Sequence, residues 1–110
     1  MPPPFSRTLS DLLFEQAQRS PDHLAVICRG LEVSYADLAE RARVLATAMH
    51  ELGVRRGSRV ATLINNRVEF LEVLLGASML GATVAPFSTW STRSELDFLL
   101  RDCTPTVLFI

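Results

Sequence analysis

The chain has 110 residues, 48% of them hydrophobic and 21% charged, with a formal net charge of -1. That balance excludes an intrinsically disordered chain and offers no electrostatic basis for binding nucleic acid. All eleven basic residues are arginine, so chemistry that needs a lysine amine as nucleophile, Schiff base or point charge has no residue here to perform it.

Residues 1–7 carry three prolines and no apolar run of signal-peptide length, and read as a flexible tail ahead of one domain over residues 8–110. The first helix opens at Thr8, whose hydroxyl precedes Asp11 by three positions, the spacing of a capping box. Leu24 to Cys28 and Glu32 to Ser34 are β-rich and flank Arg29 and Gly30, which predicts a hairpin. Ser34 with Asp37 then starts a second helix, on which Tyr35, Leu38, Ala42, Leu45, Ala46, Met49 and Leu52 share one face before Gly53 ends it.

From Arg59 the pattern alternates: strand 59–64, helix 66–80, strand 83–87, helix 94–102, strand 106–110. Asn66 with Glu69 and Thr92 with Glu95 repeat the capping-box spacing at the two helix starts, which gives these acids a structural reason to exist. The helix over 66–80 is apolar nearly all round and should be buried on most sides, with Gly76 allowing another element to approach closely. Strand, helix, strand, helix, strand is the order that builds a parallel sheet through right-handed crossovers. The expected fold class is α/β, an incomplete doubly wound sheet: the last run, Thr106 to Ile110, is apolar at consecutive positions like a central strand, and its missing neighbours are expected from further chain.

In open sheets of this kind the functional surface lies beyond the carboxyl ends of the strands. Two loops qualify, Asn65 to Arg67 and Ser88 to Thr92; the second offers hydroxyls, backbone N–H groups at a helix start and the face of Trp90, groups that suit a nucleotide, although capping a helix would account for the hydroxyls equally. Neither GxGxxG nor GxxxxGK[ST] occurs. Cys28 and Cys103 are far apart and form no disulfide framework; His23 and His50 have no partner at metal-ligand spacing, so no metal site is expected. Val73 to Trp90 is uncharged, but Gly81 and Pro86 divide it and Ser78, Thr83 and Ser88 dilute it, so no membrane span is expected.

Four segments resemble, in order, the N-terminal region of the adenylate-forming acyl-CoA synthetases and their relatives, the AMP-binding ligases. They are Pro21-Asp22 with Ala25; Ser34-Tyr35 with Leu38; Gly53-Val54 with Gly57-Ser58-Arg59-Val60-Ala61; and Glu69-Phe70, Leu75-Gly76-Ala77, Gly81-Ala82 and Pro86. Ser58 stands where that family usually has an acid. The resemblance covers Thr8 to Ile110 and takes its specificity from the ordered set. Amino-acid-activating domains of peptide synthetases usually continue this strand with Pro-Leu-Asp-Pro, then a tyrosine and proline; here Pro86, Phe87, Ser88, Thr89 and Trp90 stand instead, which is more similar to fatty or carboxylic acid-CoA ligases.

The resemblance implies a two-step reaction. A carboxylate attacks the α-phosphate of ATP, with Mg2+, to give an acyl-adenylate and pyrophosphate, and the thiol of coenzyme A then displaces AMP. It also implies that the family's phosphate loop, magnesium-binding glutamate, ribose-binding aspartate and catalytic lysine belong to residues after Ile110, so no catalytic or metal-binding residue is assigned here and the chain alone is expected to be inactive. Phe87, Ser88, Thr89 and Trp90 are the candidate cofactor-binding residues, at the mouth for coenzyme A. The implied partners are a small carboxylic acid, coenzyme A and the remainder of the same chain, in the cytoplasm. Two other readings stay open: an amino-acid-adenylating domain, and a non-enzymatic α/β remnant that binds a partner through exposed strand edges.

Overall fold

Helix α1, Leu9–Arg19, starts where Thr8 accepts a hydrogen bond from the Asp11 N–H and the Asp11 carboxylate accepts one from the Thr8 N–H. The computed structural model describes residues 8–110, so the expected tail over 1–7 lies outside the described residues. Strands β1, Leu24–Cys28, and β2, Leu31–Ser34, pair antiparallel. They turn through Arg29 and Gly30, both at positive φ (52° and 81°), as a two-residue hairpin turn requires. Helix α2, Tyr35–Glu51, is capped by the Ser34 hydroxyl. Strand β3, Arg59–Thr62, then feeds α3, Val68–Leu80; β4, Thr83–Pro86, feeds α4, Arg93–Cys103; and β5, Val107–Phe109, follows.

The three later strands form a parallel sheet in the order β4-β3-β5, with Val60 opposite both Val84 and Val107. The crossover from β3 to β4 and the one from β4 back past β3 to β5 run in opposite directions. Right-handed connections therefore set α3 and α4 on opposite faces of the sheet, the arrangement of a doubly wound fold. On the α3 face, Val60, Val73, Ala77, Met49 and Val54 are buried together, with Val84, Val107 and Phe109 packed against them. A second cluster, Leu13, Val33, Leu38, Ala39, Ala42 and Val68, joins α1, the hairpin, α2 and the start of α3. Helix α4 has no fully buried residue: Leu96, Leu99 and Leu100 are half-buried and Phe98 is 68% exposed.

Helices α2 and α3 meet along a seam of small residues, and this close approach is what Gly76 makes possible. A Cβ on Gly76 would stand 2.9 Å from Met49 Cε, 3.2 Å from the Ala42 carbonyl oxygen and 3.3 Å from the Ala46 backbone nitrogen. The methionine tip can move, but the two backbone atoms cannot yield without separating the helices. Beside the seam, Arg41 Nη1 donates to Glu72 Oε1 at 2.8 Å. That hydrogen bond, with the charge of Glu72, raises the Arg41 guanidinium above its ordinary pKa. Between α1 and α2 the Arg43 guanidinium sits 4.6 Å above the Phe14 ring.

Three expectations need correction. The Asn66 and Glu69 capping box does not form: α3 begins one residue later than its spacing predicts, behind Arg67, which makes no side-chain cap. The chain spends residues 63–67 leaving the sheet edge, so the capping spacing is out of register with the first helical turn. Leu52, expected on the buried face of α2, is 63% exposed because α2 ends at Glu51 and Leu52 is already its C-cap, while Ala39, outside that expected face, is buried. The strands are also shorter than their apolar runs: β3 stops at Thr62 and β5 at Phe109, where the parallel partners part.

Replacing Gly76 with alanine is expected to destabilise the chain by about 1–3 kcal/mol, the usual range for overpacking. That loss exceeds the helix-propensity gain of about 1 kcal/mol. Urea unfolding measures it, and a variant as stable as the parent would show that the seam can open without loss. Glu72→Gln should cost about 0.5 kcal/mol, discounted because Arg41 is 45% exposed, and the loss should shrink in high salt.

Candidate functional site

Because β3, β4 and β5 are parallel, their carboxyl ends share one rim with the amino ends of α3 and α4. Both loops singled out in the sequence lie on this rim. The ladder runs out just short of them: the Phe87 N–H donates to the Thr62 carbonyl at 2.7 Å, and the Leu63 N–H donates to the Phe109 carbonyl at 2.8 Å. Past those bonds the backbones separate, and two concavities open between the loops.

The first, about 380 Å³, is lined by Leu63, Ile64 and Asn65 after β3, by Arg67, Glu69 and Val73 of the α3 start, by Thr89, and by Phe109 and Ile110. The second, about 430 Å³, lies between the β3 loop and the whole stretch from Pro86 to Trp90, with Phe70 behind it. Ile64, Asn65 and Thr89 border both. The divide is a hydrogen bond in which Thr89 Oγ1 donates to Asn65 Oδ1 at 3.1 Å, joining residues 24 positions apart.

All four sequence-designated residues are found at the second concavity. Phe87 is half-buried, continuing the line of β4, while Ser88, Thr89 and Trp90 are exposed. The Ser88 hydroxyl accepts from the Trp90 N–H at 3.2 Å and the Ser88 carbonyl accepts from the Ser91 N–H at 3.1 Å, so residues 88–91 form a closed turn. This turn projects Trp90 into solvent with 93% of its surface exposed. The next residue, Thr92, caps α4 in a full capping box with Glu95. The hydroxyls of the loop therefore divide their roles, Thr92 serving the helix, Ser88 the turn and Thr89 the neighbouring loop.

Arg67 closes the first of the two loops named from the sequence, and Glu69 just beyond it is the rim residue whose position the helix-start reading obscured. With the helix beginning at Val68, Glu69 lines the first concavity instead of closing a capping box with Asn66. Their place directly after a strand end was the available signal. The remaining reactive side chains form no catalytic set. Cys28 points its thiol at the Asn66 carbonyl, 3.9 Å away, and both cysteines are free. His23 and His50 are exposed on other parts of the chain. Among the described residues no three of His, Cys, Asp and Glu gather as a metal site would need, and no helix is long and apolar enough to cross a membrane. The rim can stack, hydrogen-bond and orient a ligand; it has no nucleophile with a base beside it.

Residues 13–110 match the family model described as AMP-binding enzyme. Among solved structures, the chain is similar to the inhibitor-bound N-terminal domain of FACL13 from Mycobacterium tuberculosis, at 31% identity and a TM-score of 0.88, covering 93% of this chain and 26% of that one. A fatty acyl CoA synthetase from Mycobacterium tuberculosis gives 31% identity and a TM-score of 0.88 over 92% of this chain and 20% of its own. Tyrocidine synthase 3 of Brevibacillus parabrevis is 30% identical over 105 residues, 96% of this chain and 2% of that protein. The chain thus spans about a quarter or less of each protein named here. The α/β architecture is that of the N-terminal subdomain of adenylate-forming enzymes, and the chain belongs to the AMP-binding enzyme family.

Proposed function

We propose that these residues are the N-terminal part of the large domain of an AMP-forming acid-thiol ligase, which activates a carboxylic acid, a fatty acid foremost, with ATP and passes the acyl group to coenzyme A. Family membership supports adenylate formation. The observation that carries the thiol-ligase reading is the loop after β4. Pro86, Phe87, Ser88, Thr89 and Trp90 stand where amino-acid-activating domains usually have Pro-Leu-Asp-Pro, and the last four sit on the rim with an indole almost wholly exposed. An exposed indole stabilises nothing within the chain itself; its apolar faces gain free energy when a flat partner covers them. Adenine is such a partner, and we assign these four residues to the mouth that receives the adenine end of coenzyme A.

The groups on the rim do not fit ATP with Mg2+ by themselves. A triphosphate and its metal need clustered carboxylates and phosphate donors, and the described residues hold no such cluster while the sequence holds neither lysine nor a glycine-rich phosphate loop. What this chain supplies is the scaffold and one wall: β3 and β4 hold two loops in register, the 88–91 turn orients the aromatic face, and Thr89 fixes that turn to Asn65. The two free cysteines agree with a reducing, cytoplasmic setting, which completes this reading.

Expression of the whole reading frame that contains these residues tests the proposal by measuring AMP release. Fatty acids should drive release that depends on coenzyme A. Amino-acid-dependent pyrophosphate exchange without coenzyme A turnover would assign the protein to the amino-acid-adenylating branch instead. The 110-residue chain by itself should release no AMP with any acid, and turnover by it would overturn the division of groups described above. In the active ligase, Trp90→Ala should raise the KM for coenzyme A about 5-fold, equal to a stacking contribution of about 1 kcal/mol, with kcat at saturating coenzyme A unchanged.

A further inference from the structure

The hydrogen bond between Thr89 and Asn65 stands where backbone pairing has ended. β3 and β4 are locked together up to Thr62 and Pro86, and one more ladder bond reaches Phe87. Beyond it the 88–91 turn bridges Phe87 and the α4 cap at Thr92, holding its shape by its own hydrogen bonds, with no fully buried side chain of its own. Such a turn keeps its shape but can tilt as a unit between its two attachment points at Phe87 and Thr92. Thr89 Oγ1 donating to Asn65 Oδ1 at 3.1 Å restrains that motion, because it ties the corner of the turn to the loop of the neighbouring strand. The same bond separates the two concavities, which share Ile64, Asn65 and Thr89.

We propose that Asn65 is a positioning residue: through Thr89 it latches the 88–91 turn and fixes where Trp90 presents its face. Trp90 is 93% exposed among the described residues, so the backbone that carries it sets the region its indole can reach. A ligand that stacks on the indole binds more tightly when the turn is already fixed, because less freedom is lost on binding. This inference deepens the coenzyme A assignment given above and rests on it for the identity of the ligand, but the latch itself is a property of the chain.

Four variants separate the two claims. Asn65→Ala and Thr89→Val each remove the bond, whereas Asn65→Asp keeps an acceptor and Thr89→Ser keeps the donor. In the 110-residue chain, NMR order parameters of the Thr89, Trp90 and Ser91 amides should fall from the rigid range near about 0.85 toward about 0.6 in either bond-removing variant. The double variant should show no further fall, and the two conservative variants should keep the parent values. Unchanged order parameters, or falls that add in the double variant, would overturn the latch. In the active ligase the same pattern should appear as a rise of about 2- to 10-fold in KM for coenzyme A with kcat preserved, the range of one hydrogen bond. Order parameters that fall while KM stays at the parent value would uphold the latch and overturn the coenzyme A reading; a KM that rises equally in the conservative variants would overturn the positioning role.

Discussion

The rest of the fold depends on how closely α2 and α3 can approach. Gly76 on one helix faces Ala42, Ala46 and Met49 on the other, with backbone atoms of α2 little more than 3 Å from where a Cβ would stand. Helix α3 is the crossover between β3 and β4, so its distance from α2 also sets how the sheet face carrying Val60 and Val84 meets Met49 and Val54. The seam is buried and made largely of small side chains, with the Arg41 and Glu72 pair at its side. Dispersion at this range is short-reaching, so a shift of a fraction of an ångström forfeits much of it.

From that seam the position of the rim follows. Parallel pairing aligns the strand ends, the short connections after β3 and β4 keep both loops beside each other, and the turn at Ser88 places Trp90 at the outer margin. The opposite sheet face is treated differently: α4 buries no residue completely, and β4 and β5 are both sheet edges. Both edges are open parallel strands and α4 is only half-covered, in a chain that matches about a quarter of the solved relative's length.

Much of this was legible in the sequence because the signals were redundant. The second helix had a cap, an apolar face and a terminating glycine, and Gly76 was recognisable because a glycine within an otherwise apolar helix has a steric reason. Thr8 with Asp11 and Thr92 with Glu95 formed the capping boxes their spacing implies. Asn66 with Glu69 had the same spacing and failed, since spacing cannot tell how many residues a chain needs to leave a sheet before its helix can begin. The rim loops could be named from the strand-end rule. Their joining through Asn65 and Thr89 could not, because a contact across 24 residues depends on the register of two strands and no local pattern encodes it.

Helix α2 belongs to both hydrophobic clusters, Leu38, Ala39 and Ala42 to one and Met49 to the other. As 17 residues it is a rod of about 25 Å, long enough to reach from one cluster to the other. The hairpin with α1 and the parallel sheet are separate in sequence, yet they are mounted on the same rod, so their opening is thermodynamically joined. Loosening either one removes packing from the same helix, so α2 couples two sheets that share no strand.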